Sequence, residues 1–66
     1  MKIQLNGHEI EVSAGLSLLQ LIENQGFAGK RLAAEVNREI VPKSEHKGFE
    51  LHEHDCIEIV HAIGGG

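Results

Sequence analysis

KIQLNGHEIEVSAGLSLLQLIENQG, residues 2–26, changes its hydrophobic period partway along, and that change decides the kind of fold. Ile3 and Leu5 recur at period two, as do Ile10 and Val12, and Asn6-Gly7 lies between the two runs. Asn-Gly flanked by alternating residues signals a two-residue hairpin, because a type I′ turn needs positive φ at both central positions. A half-buried hairpin is expected, apolar on one face and carrying Lys2, Gln4, Glu9 and Glu11 on the other. From Leu16 the period becomes helical. Ser17 suits an N-cap and Gln20, three residues on, completes a capping box that satisfies otherwise orphan N–H groups. Leu16 and Leu21 are spaced for a hydrophobic staple, and Leu18, Leu21 and Ile22 form one apolar stripe. Gly26 supplies the stop, since a left-handed residue there costs glycine nothing. The helix is expected to run about two to three turns.

Beyond this unit, RLAAEVNREIVP (residues 31–42) reads as a strand over 32–36, a turn at Asn37-Arg38 and a short strand at Ile40-Val41. Pro42 lacks an N–H and belongs at an edge or at the end of that pairing. Residues 43–50 are polar and read as loop or a single helical turn, pinned to the core by Phe49 and Leu51. HEHD (residues 52–55) makes a turn before a last strand in which Ile57 and Ile59 share one face and Cys56, Glu58 and Val60 the other. The order ββαββ(loop)β predicts an α+β fold, one helix across one face of a mixed sheet of about five strands. A long crossover favours a parallel return of the last strand beside the first. Pattern alone leaves the strand order open.

With 66 residues the chain is one domain, expected as a body over 1–60 and a flexible tail over 61–66. A chain this short buries only about 60% of its unfolded surface, and Cys56 is its single cysteine, so no internal disulfide reinforces it. A lone thiol favours a reducing, cytoplasmic setting, and no apolar run approaches a membrane span. The net charge of −4 lies entirely in residues 34–66, where seven acids face three bases. That balance argues against nucleic acid, whose phosphates need clustered Lys and Arg. It permits a basic protein partner.

Candidate chemistry is sparse. The chain has no Ser/His/Asp order, CxxC, GxGxxG or P-loop, and little room for a deep pocket, so an enzyme is not expected. His52 and His54 share a side of an extended segment, and Asp55 or His61 would complete a metal site, yet the spacing matches no zinc signature. Polar turn residues explain the run without a metal. Cys56 has Asp55 and Glu58 around it rather than the cations that activate a thiol. The last three residues, Gly64, Gly65 and Gly66, are slender and end in an α-carboxylate. Six extended residues from His61 reach about 20 Å, enough to enter another protein's narrow channel.

LNG (residues 5–7), VNREIVP (36–42) and DCIEIVHAIGGG (55–66) together resemble the ThiS family of thiamine-biosynthesis sulfur carriers, along essentially the whole chain. The resemblance implies a ubiquitin-like β-grasp fold with the first and last strands paired in parallel at the sheet centre. It further implies that an E1-like adenylating enzyme of the ThiF type joins the Gly66 carboxyl to AMP. Sulfur drawn from cysteine through a cysteine desulfurase then displaces AMP, and a thiazole synthase of the ThiG type takes it from the Gly66 thiocarboxylate. Gly64 and Gly65 would form the approach, and Val60, Ala62 and Ile63 would dock on partners. The chain would be a co-substrate with no cofactor of its own. His54 stands where many members carry glycine, and histidine tolerates a left-handed conformation better than most residues. The same tail would serve the small subunit of molybdopterin synthase, a ubiquitin-like modifier or a simple binding module; the length and VNREIVP favour the thiamine carrier.

Overall fold

The computed structural model describes residues 1–27 and 31–61, with the side chain of His61 left aside. Chain order is β1 (Lys2–Leu5), β2 (His8–Glu11), α1 (Leu18–Asn24), β3 (Leu32–Val36), β4 (Glu39–Val41), a 3₁₀ turn (Lys43–Glu45) and β5 (Cys56–His61). The strands form one sheet in the order β2-β1-β5-β3-β4. β1 and β5 run parallel, Leu5 opposite Ile57, while the remaining pairings are antiparallel. This is the β-grasp arrangement expected above.

The local signals act as read. Asn6 and Gly7 take φ of 50° and 84°, the two positive values of a type I′ turn, and set Ile3 opposite Ile10. At α1, Gln20 N–H donates to Ser17 Oγ and Ser17 N–H to Gln20 Oε1, so the capping box is complete. Two further helix-end N–H groups are satisfied from afar: Leu18 donates to the Phe49 carbonyl at 2.8 Å and Leu19 to the His46 carbonyl at 3.0 Å. At the other end, Gly26 N–H reaches Glu23 O and Phe27 N–H reaches Ile22 O, a Schellman closure around the left-handed Gly26.

Leu18, Leu21 and Ile22 of α1 pack on Ile3, Leu5, Ala34, Val36, Val41, Ile57 and Ile59 of the sheet. Leu51, in neither helix nor strand, is also fully buried in this core, and its N–H donates to Leu16 O. The loop from 43 to 51 is thereby tied to the helix entry. His46 is 4% exposed there. Its Nε2 lies 2.9 Å from the Val41 carbonyl, which only accepts, so Nε2 carries the proton.

Candidate functional site

β5 occupies the middle of the sheet and precedes the terminal glycines in sequence. Alternation turns Ile57 and Ile59 to the helix-covered face and Cys56, Glu58 and Val60 to the open face. Val60 is 59% exposed and sits opposite Ala33 of β3, itself exposed. Two rungs along, on the same face, Glu58 lies opposite Glu35, and Glu35 in turn opposite Ile40 of β4. Ile40 is 70% exposed, more than any other described large apolar side chain. The open face next to the tail root is thus apolar at Ala33, Ile40 and Val60, with two carboxylates set across from each other.

Of the residues expected to dock, Val60 is on this surface, while Ala62 and Ile63, like Gly64, Gly65 and Gly66, lie outside the described residues. Ile40 was not anticipated. The strand assignment was in the sequence, but nothing local shows which edge-strand residue is left uncovered.

The polar end of β5 is held by turn residues. Asp55 accepts from Asn37 Nδ2 at 3.0 Å and from the His52 N–H at 2.8 Å, while Cys56 N–H donates to Asn37 Oδ1 at 3.0 Å. Asp55 is therefore committed to the turn, and among the described residues no three His, Cys, Asp or Glu side chains converge to hold a metal. His54 has φ of 69°, so it does adopt the left-handed conformation, and its N–H donates to the Lys2 carbonyl at 2.7 Å. Cys56 is exposed, its Sγ 3.6 Å from Gln4 Oε1, and among the described residues no cationic side chain is bonded to it. Near the far end of β5, Asn6 bonds both the N–H and the carbonyl of Ile59, at 2.8 and 3.2 Å.

A groove of ≈ 500 Å³ runs between β2 and α1, lined by Ile10, Val12, Leu16 and Leu21 with a rim of Glu11, Ser13, Asn24 and Gln25. Its volume falls in the usual range for ligand sites, more room than expected, but it is open and Glu11 is its one ionisable side chain. No helix among the described residues is long and apolar enough to cross a membrane.

A model of the ThiS family matches residues 3–66, through the last glycine. The chain belongs to the ThiS family. It is 35% identical to the sulfur carrier protein ThiS of Bacillus subtilis over 65 residues, covering 97% of this chain and 98% of that one. It is also 42% identical, over all 66 residues, to part of a thiazole synthase of Magnetococcus marinus. There it spans only 20% of the relative's length, as it does for a thiazole synthase of Paramagnetospirillum magneticum. Among solved structures, the thiamine biosynthesis protein ThiS of Geobacter metallireducens superposes with a TM-score of 0.87 at 22% identity, each chain fully covered. The ThiS fold is thus shared where few residues are, and within it the open face and tail root are where this chain can be read for function.

Proposed function

We propose that this chain is a sulfur carrier protein of thiamine biosynthesis, acted on by partner enzymes rather than catalysing a reaction itself. The observation that carries the reading is the family match reaching Gly66, since the chemistry needs the terminal carboxyl and nothing bulky before it. A carboxylate is a poor electrophile. An E1-like enzyme of the ThiF type supplies ATP, the Gly66 carboxylate oxygen attacks the α-phosphorus, and pyrophosphate leaves. A persulfide charged by a cysteine desulfurase then attacks the acyl carbon and AMP departs, and a second thiol breaks the S–S bond of the resulting acyl disulfide, forming a disulfide with the donor sulfur and releasing the thiocarboxylate. Thiazole synthase receives that sulfur. The two thiazole synthases that carry a ThiS-like stretch as a fifth of their length support this pairing, because a tethered carrier is present at high effective concentration.

Gly64 and Gly65 give the tail a profile narrow enough for a buried channel, where a Cβ would meet the walls. Val60 with Ala62 and Ile63 forms the docking surface at the tail root, and Ile40 and Ala33 extend it across the open face. The opposed Glu35 and Glu58 suit a partner that brings Lys or Arg to that point, so encounter should slow as salt rises.

The test is intact mass after incubation with the adenylating enzyme, ATP and a sulfur source. The chain should gain the mass difference of sulfur over oxygen, located in the C-terminal peptide. No gain, in a reconstitution that charges an established carrier, removes the reading. Deleting Gly66 should abolish charging and leave the unfolding midpoint in place; a truncated chain that no longer folds would make the tail a structural element instead.

A further inference from the structure

We propose that Asn6 is a positioning residue for the C-terminal tail: its side-chain amide stands in for a strand partner at Ile59 and aims the end of β5. The inference rests on the reading that the terminal carboxyl is delivered into another protein's site. On the β1 side of β5 the parallel ladder climbs from Gln4 N–H on Asp55 O to Asn6 N–H on Ile57 O, both at 2.9 Å. There β1 stops, because Asn6 and Gly7 turn the backbone away toward β2. The next rung is made by a side chain. Asn6 Oδ1 accepts from Ile59 N–H at 2.8 Å and Asn6 Nδ2 donates to Ile59 O at 3.2 Å, the donor-acceptor pair a strand residue would present. Only one orientation of the amide satisfies both bonds. On the other side β3 continues to the pair Leu32–His61. Ile59 is the last level at which β5 has a neighbour on both sides among the described residues, Asn6 on one and Ala34 on the other.

The turn by itself does not account for this. Positive φ explains why asparagine is tolerated at position 6, but not why its amide points at β5. Asn37 provides the comparison within the same molecule. It holds the equivalent place in the β3–β4 turn, with φ of 52° against 50° for Asn6, and its side chain grips the opposite end of β5 at Cys56 and Asp55. Each hairpin thus lends one turn asparagine to the central strand. Only the Asn6 grip lies next to the tail.

The root matters because the reach is finite. Seven residues from Val60 to Gly66 span at most about 23 Å, so freeing β5 two residues earlier would shift the point from which the tail reaches by up to about 7 Å. Misplacements far smaller than that are enough to slow a reaction that depends on an oriented carboxyl.

Asn6→Gly and Asn37→Gly test the idea as a matched pair, because glycine keeps the left-handed turn in both and removes only the side-chain grip. Each full chain is assayed for kcat/KM in adenylation and sulfur charging, and for amide hydrogen exchange from residue 56 to residue 61. Asn6→Gly should lose roughly 10-fold protection at Ile59 and roughly 10-fold in kcat/KM. Asn37→Gly should lose protection at Cys56 while its kcat/KM stays within about twofold of the parent. Equal kcat/KM losses in the two variants, or none in Asn6→Gly, overturn the proposal. If the parent chain is not charged at all, the carrier reading fails instead. Exchange then still decides whether Asn6 holds the strand end, and unchanged protection at Ile59 would refute that on its own.

Discussion

Among the described residues, four that are not glycine have positive φ: Asn6, Asn37, Arg38 and His54. For the asparagines the cost is small, since a short amide side chain tolerates the left-handed region. Arg38, at 72°, occupies the second central position of its turn, where the first hairpin has Gly7. The two turns are the same device, one with its preferred residue and one without. Arg38→Gly should therefore raise the unfolding free energy by about 1 kcal/mol, read as a higher urea midpoint at unchanged slope. A lower midpoint would mean that the Arg38 side chain makes up for its backbone. Asn6-Gly7 announced its turn type in the sequence, whereas Asn37-Arg38 announced only a turn, because nothing about arginine signals positive φ. The amide bonds of Asn6 and Asn37 to β5 were invisible for a related reason: they join residues 53 and 19 positions apart.

Among the elements, α1 has 7 residues, too few to hold as an isolated helix. It survives because both ends are closed and one face is covered. The capping box and the stop at Gly26 were legible, being made by neighbours in sequence. The Phe49 and His46 carbonyls that complete the N-terminus were not, and neither was the burial of His46 in a stretch read as polar loop. β5 shows a different compromise. Glu58 opposite Glu35 places like charges across a strand pair, which destabilises a sheet. Glu58→Lys should add about 0.5 kcal/mol of stability by making that pair attractive. The same change should lower kcat/KM with the adenylating enzyme and flatten its dependence on salt. Stability and acceptance moving together would show that the pair has no part in docking.

For the whole molecule, 66 residues leave little margin, and the core depends on a few large side chains. Leu51 is fully buried although it belongs to a connecting segment. Leu51→Ala should cost about 2–5 kcal/mol out of a total of about 5–15, enough to leave the chain largely unfolded at moderate urea. A loss below about 1 kcal/mol would mean that the loop repacks freely, contrary to its ties at Leu16 and Leu18. The element order and core faces could be read from period and spacing, but the order β2-β1-β5-β3-β4 could not, because pairing across the sheet leaves no periodic mark. The family resemblance supplied one part of it, the parallel pairing of the first and last strands at the sheet centre. That order has a consequence for timing. The β1–β2 and β3–β4 hairpins never touch as strands; each is joined to the sheet only through β5, the last strand to be synthesised. Until β5 has emerged from the ribosome the two hairpins remain separate halves. The strand that closes the sheet is also the one that precedes the terminal glycines, so the body is completed only when the stretch just before them has been made.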